Sequence, residues 1–507
     1  MLQNFLAWIR IELGSFYEQN VDFFWFFISV LALAAVFIPL ISTLRMGKIP
    51  RGKERYKLSP PDIDVRERAA ESLKLAAGIE TREDAPESLA LFRKMLEERY
   101  PGVFQTFGFD IYGAGSLLFY WPSKSAETNE PAVFCSHFDV DLKKTKPAPK
   151  KEDEYIEKSL ITGPGAAGGK CNVIAMLEAA EYLIRAGYAP TKRDIYFAFG
   201  HDGESGGQNG MFNIARMFYR KKIRPAFVLY ASGRILPFAA SNRSVASAAI
   251  GVTEKGRLKL KLVASGSTGK PTERKNKKKG AVEKDPQKVL EEALSRIEAA
   301  PVRYRITDTA RRYYKIMAPA LTFDKRFAVG NLPFTGGLLF RLFRNEPSDC
   351  PMLTTTIDVR SSAEGAKAKS GPLKAEALLD IRLLNGDSAG FVVDYLRDIT
   401  SDLPVSIHEL ETWEPSAISD TQTEAYRMIY RAVKKRFGRI LIAPAVAVCS
   451  NGARHFERVC DRVYRMSPLL LEARNLSEQN DQLIRDASLG AAVETYISLI
   501  KSAGSEL

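Results

Sequence analysis

The sequence has little of what organises a small secreted fold. Its five cysteines (Cys135, Cys171, Cys350, Cys449 and Cys460) are odd in number, widely spaced and without a C-x-x-C pair. Neither a disulfide framework nor a cysteine zinc site is therefore expected. Internal repeats and long low-complexity segments are absent too, which excludes a solenoid. Histidine is scarcer still, at four residues in 507. With so few, their positions carry information.

Acidic residues are the minority charge, 60 against 73 Lys and Arg, for a formal net charge of +13. An excess of that sign attracts phosphates. Part of it is gathered in two runs, "RMGKIPRGKERYK" (45–57) and "RKNKKK" (274–279). The second reads as a solvated loop, and no nucleic-acid partner is expected.

Charge is missing altogether from Phe23 to Leu44, "FFWFFISVLALAAVFIPLISTL". That run is long enough to cross a hydrocarbon core as a helix. A cleaved signal peptide has a basic start and a short apolar stretch, whereas Glu12, Glu18 and Asp22 precede this one. The expectation is a retained single-pass anchor. Arg45, Lys48, Arg51, Lys53, Arg55 and Lys57 follow it and only Arg10 precedes it, which puts the large domain in the cytoplasm.

A chain of 507 residues exceeds one ordinary core. Apolar runs such as "PAVFCSHFDVD", "RDIYFAFG" and "PAFVLYASG" alternate with helical stretches, the pattern of an α/β unit with a mostly parallel sheet and flanking helices. From about 250 the texture changes. "GRLKLKLVASG" alternates strictly, "QKVLEEALSRIEAA" is an amphipathic helix, and "MLTTTIDVRSS" and "KAEALLDIRLLNG" read as strands. The expected division is 1–57 anchor and linker, 58–249 first part of the core, 250–410 inserted α+β domain, and 411–507 second part of the core.

"ITGPGAAGGKCN" contains Gly163, Gly165 and Gly168 in the spacing G-x-G-x-x-G. A dinucleotide fingerprint follows a firm strand and has an acidic residue about twenty positions on, but "KSLITGPG" is a poor strand and Asp202 comes too late. A P-loop is excluded by Pro164 at its first glycine and Cys171 at its hydroxyl position. The histidines point elsewhere. His137 in "CSHFDVD", His201 in "FGHDGESGG" and His455 in "SNGARHF" end apolar strands or sit in polar turns, where α/β proteins build sites.

These residues resemble the zinc-dependent carboxypeptidase/aminoacylase family, which includes desuccinylases and membrane-anchored vacuolar carboxypeptidase relatives. The likeness runs from about residue 60 to the C-terminus. His137-Phe138-Asp139-Val140 matches the family's His-x-Asp-Val strand end, with Asp139 as orienting residue. Gly163 to Cys171 matches its Gly-Arg-Gly-Ala-x-Asp-Asp-Lys-Gly loop, with Gly168 where the family has an Asp that bridges two zinc ions. Gly200 to Gly207 matches Gly-His-Asp-Glu-Glu-x-Gly-Gly, with Gly203 in place of the general base and Glu204 retained as a zinc ligand. Tyr230 stands where a further zinc-binding Asp is expected, and His455 matches the last ligand.

The resemblance also implies a zinc-exopeptidase-like core with a lid and dimerisation domain, a homodimer, and a peptide or N-acyl amino acid ligand. Arg382 matches a lid arginine that can bind a substrate carboxylate. An exposed strand arginine is as good a reading of it. The lid histidine motif aligns with Gly266 to Pro271, without the histidine, and the lid asparagine falls near Lys369. One zinc would keep Glu204 and His455, and the other only His137, so zinc is expected at reduced stoichiometry or not at all. Two readings follow: a relative that has lost dizinc catalysis, ahead of a one-zinc hydrolase acting on an amide bond.

Overall fold

The computed structural model describes residues 21–46, 62–125, 130–141, 159–238, 245–265, 285–300, 302–343, 352–363, 374–438, 440–448, 452–471 and 483–505. The lid motif at 266–271, Lys369 and the basic run 274–279 lie outside them.

The first part of the chain contains α1 (Val21–Met46), α2 (Ile63–Ala77), α3 (Pro86–Arg99), α4 (Pro101–Thr106), β1 (Gly108–Tyr112), β2 (Ser116–Trp121), β3 (Ala132–His137) and β4 (Leu160–Thr162). It continues with α5 (Gly169–Arg185), β5 (Ile195–Gly200), α6 (Met211–Arg220), β6 (Phe227–Tyr230), β7 (Ile235–Phe238) and β8 (Val245–Glu254). Next come β9 (Gly256–Ser265), α7 (Pro286–Ala299), α8 (Asp308–Met317), α9 (Phe323–Gly330), α10 (Leu332–Phe343), β10 (Thr356–Ala363), β11 (Lys374–Leu383), α11 (Ala389–Ile399) and β12 (Val405–Trp413). The chain closes through α12 (Glu424–Phe437), β13 (Ile440–Ala447), a 3-10 turn (Gly452–Arg458), β14 (Val463–Arg465), β15 (Leu483–Arg485) and α13 (Asp486–Ser505).

The larger sheet has the order β1-β2-β5-β3-β6-β14-β8-β13, with β7 paired to β8. Its centre is parallel, β3 lying between β5 and β6, and its first two strands pair antiparallel. Because side chains alternate across a strand, each face builds its own core. Phe134, Phe197 and Leu229 pack under α5 and α13. Their neighbours Val133, Cys135, Ala198 and Val228 pack under α6. An apolar residue on both faces is what a doubly covered strand requires, and it explains the unbroken run "AVFC" in β3.

The second sheet is antiparallel, in the order β10-β11-β9-β12. Leu258, Leu260 and Leu262 of β9 are buried against α7 and α11. Lys259 and Lys261, on the opposite face, pair with Glu411 and Glu376. The strict alternation in "LKLKL" is thus one covered face and one charged face. Asp285, Thr307, Ser388 and Thr423 cap the helices that follow them by accepting a backbone N–H.

Helices α8 to α10 lie in sequence between α7 and β10, yet Ala310, Tyr314, Val329 and Leu339 share a core with Ala445 and Val446 of β13. Trp25–Met46, within α1, is long and apolar enough to cross a membrane, a test that a signal sequence also passes.

Candidate functional site

The parallel register sets strand ends side by side: His137 is opposite Gly200, and Cys135 is opposite Tyr230. Beyond β3, Asp139 turns inward, and only 5% of it is exposed. Its carboxylate accepts from His137 Nδ1 at 3.0 Å and from the N–H groups of Gly203 and Glu204, both at 2.8 Å. Burial alone would push its pKa up. The His137 bond and the two N–H donors outweigh that and hold it below the ordinary carboxylate value. A carboxylate only accepts, so His137 carries its proton on Nδ1.

The turn after β5 is drawn across the imidazole of His137. A Cβ added at Gly203 would lie 2.4 Å from both Cβ and Cγ of His137. Here the backbone itself fills the space beside the ring. Glu204 next to it is exposed. Asp202 is fully buried and accepts from the N–H groups of Asn209 (2.6 Å) and Gly210 (2.9 Å), so it holds the turn together. His201 is buried with its Nδ1 2.6 Å from Ser116 Oγ.

The glycine loop has two kinds of glycine. Gly165 has φ +78°, the left-handed region that disfavours other residues, and a Cβ on Gly169 would lie 2.2 Å from the His137 carbonyl oxygen. Gly168 has neither restraint: its φ is −107°, and the nearest atoms to an added Cβ are 3.7 Å away. Lys170 is fully buried beneath the loop and donates to the carbonyls of Ala76 (3.1 Å) and Ile79.

Burial pushes the Lys170 pKa from 10.5 down to about 8. Between those values the unfolded chain holds a proton that the folded chain does not, so stability rises with pH across the window. In urea titrations the wild-type midpoint should climb relative to Lys170→Met from about pH 8 to pH 10.5. Parallel curves would mean that Lys170 ionises as freely as in the unfolded chain.

Tyr230, at the end of β6, is fully buried, and burial raises its phenol pKa well above the ordinary 10. It packs beside Gly452. His455, in the 3-10 turn, donates from Nε2 to the Gly206 carbonyl at 2.9 Å and meets the rings of Phe212 and Trp413 edge-on. Burial lowers its pKa, so the ring stays neutral. The structure therefore joins His137, Asp139 and Gly203 in one cluster and sets Tyr230 beside the turn that bears His455. Among the described residues no three His, Cys, Asp or Glu side chains converge as a metal-binding group. Arg382 stands on β11 of the smaller sheet, 3.5 Å from Asp380, which Arg257 also approaches at 3.2 Å.

Sequence reasoning missed a buried ionic cluster at the crossing between the sheets. Glu254, fully buried at the end of β8, meets Arg454 at 2.7 Å and Arg465 at 2.9 Å, and Arg465 also meets Glu457 at 2.9 Å. Arg454 further donates to the carbonyls of Lys255 (3.1 Å) and Glu414 (3.4 Å) and lies over the Trp413 ring. Beside it a cavity of about 320 Å³ is lined by Gln208, Phe212, Trp413, Arg454, His455 and Glu457 among others. No local spacing signals the partners of Glu254, which lie 200 and 211 positions away in the chain.

Comparison with known proteins identifies the family and the fold. The family model described as peptidase family M20/M25/M40 matches residues 133–502. The chain is 27% identical over 421 residues to the probable carboxypeptidase S-like 2 of Dictyostelium discoideum, covering 81% of this chain and 79% of that one. It is 26% identical over 471 residues to the N-fatty-acyl-amino acid synthase/hydrolase PM20D1 of Mus musculus, covering 89% and 91%. Among solved structures, human carnosine dipeptidase 1 superposes with a TM-score of 0.58 at 14% identity, covering 88% of this chain and 100% of that one. At that identity the likeness is one of fold.

Proposed function

The chain belongs to peptidase family M20/M25/M40, and from that membership we propose that it is a membrane-anchored member in which the fold and cleft persist and dizinc hydrolysis has been lost. The observation that carries this reading is Gly203. Its backbone rests on the His137 ring, so the general-base position lacks both a side chain and the room for one. A glycine neither accepts nor returns a proton, a deficit of roughly a hundred- to ten-thousandfold in general acid-base catalysis.

The donor set does not fit two zinc ions. Gly168 offers no ligand atom, the Tyr230 phenol is held neutral by burial, and His455 Nε2 is committed to the Gly206 carbonyl. A zinc site wants deprotonated carboxylate or neutral imidazole donors, three of them where water completes the shell. What remains is a cavity with Trp413 and Phe212 walls and Arg458 at its lining, where Arg454 is already bound to Glu254. Apolar walls with a guanidinium group suit an N-acyl amino acid or a peptide carboxylate, in keeping with the names of the relatives. Arg382, on the smaller sheet, is the proposed second carboxylate contact.

Retention of α1 belongs to the same proposal. Ser42 donates to the Gly330 carbonyl at 3.2 Å and Asn331 donates to Thr43 at 3.3 Å, so the helix is docked on the folded domain instead of trailing from it. The basic residues after it support a cytoplasmic side for that domain. The four-part division of the chain and a homodimer complete the reading.

Zinc content tests it. Full-length protein purified in detergent without chelator, then titrated with zinc, should bind less than one equivalent and should match His455→Ala. One zinc per chain that is lost in His455→Ala would overturn the reading in favour of a one-zinc hydrolase.

A further inference from the structure

We propose that α9 and α10 form a second membrane contact, lying in the lipid interface beside α1 with the Phe334 face of α10 pressed into the headgroup and upper acyl region. This rests on the reading of α1 as a membrane span.

The depth of these helices follows from where α1 touches them. The uncharged run Phe23–Leu44, at about 1.5 Å per residue, spans about 33 Å, close to the hydrocarbon thickness of about 30 Å. Among the described residues, its hydrogen bonds to the folded domain lie in its last turns. Asn331 Nδ2 donates to the Pro39 carbonyl at 3.4 Å and to Thr43 Oγ1, Thr43 is fully buried, and Met46 Sδ abuts Gly330. Pro39, Ser42 and Thr43 are inside the uncharged run. Whatever packs on them therefore sits at the level of the bilayer surface.

Helix α10 begins one residue after Asn331, and its sequence suits that place. "LPFTGGLLFRLF" holds a single charge, Arg341 in the last turn. Phe334 is 90% exposed and Leu338 39% exposed, although Leu339 on the other side is fully buried in the core shared with β13. Phe334, Leu338 and Arg341 are spaced i, i+4, i+7 and so share one face. An apolar tip with an arginine at the rim is the pattern of a helix lying in the interface, the guanidinium reaching to the headgroups. Phe323, at the start of α9, is 52% exposed as well. Residues 323–343, which hold both helices, contain Lys325, Arg326 and Arg341 against Asp324. That balance complements anionic lipid and gives a second copy of the same surface little reason to pair with it.

The test is depth-dependent quenching on the full-length chain in proteoliposomes of equal parts phosphatidylcholine and phosphatidylserine. An environment-sensitive fluorophore is placed in turn at Phe334→Cys, at Phe37→Cys within α1, and at Tyr219→Cys on α6, all exposed positions. Lipids carrying a nitroxide high on the acyl chain should quench the labels at 334 and 37 several-fold more than the label at 219, and aqueous iodide should show the reverse order. A 334 label quenched only by iodide, with the 37 label still lipid-quenched, would overturn the second contact and leave the span. A 334 label shielded from both quenchers would overturn it in favour of contact between copies. Loss of lipid quenching at 37 would overturn the span and this proposal with it.

Discussion

Gly203→Ala should destabilise the protein by about 3 kcal/mol, the upper end of the cost of overpacking a filled space. The added methyl would fall 2.4 Å from two carbons of His137, and neither side can yield. His137 is held by Asp139, and the same carboxylate holds the turn through the N–H groups of Gly203 and Glu204. Moving the turn breaks those two bonds, and moving the ring breaks the third. Gly168→Ala is the matched control. Its nearest neighbours are 3.7 Å away, so it should be neutral within about 0.5 kcal/mol. Urea unfolding midpoints of the two variants check both values. A neutral Gly203→Ala would mean that the turn relaxes freely.

The second large effect is expected at Arg465→Met. Arg465 is 1% exposed and is bound to the fully buried Glu254 and to Glu457. Removing it leaves the buried Glu254 with Arg454 as its remaining partner and strips Glu457 of its ion pair, a partial loss of compensation worth about 3 kcal/mol, the low end for breaking a buried pair. Methionine keeps much of the volume, which separates the electrostatic cost from a cavity cost. The contrast with Lys261→Met is the check, because its ion pair with Glu376 lies on the open face and should be worth about 1 kcal/mol or less. Equal shifts in the unfolding midpoint would mean that water reaches Glu254.

Strand ends were the most legible part of the molecule. His137 and the Gly200-His201 turn follow apolar runs that stop abruptly at polar residues, and the structure puts both at the carboxyl edge of a largely parallel sheet, where an α/β protein collects its site. The alternation of β9 was equally clear, because one face is covered and the other charged. The length of α1 was read within two residues at each end.

The ionic cluster at the crossing between the sheets was not legible. Glu254 and Arg465 are 211 positions apart, and an isolated Glu or Arg looks like solvated surface until the fold closes. The helices α8 to α10 were not distinguished from the smaller domain by any change of texture, although their core lies against β13. The meaning of Gly203 was only half visible. A missing side chain can be read from a motif, but the imidazole that takes its space is a fact of three dimensions.

Arg454 carries one further consequence. The backbone leaves the larger sheet at Lys255 and comes back at Glu414, and a single guanidinium grips both carbonyls while its plane rests on Trp413. A hinge that must swing for turnover needs those two crossings free to rotate independently. Fastened together by one side chain, they resist independent rotation, and a single cooperative unfolding transition is the expected outcome.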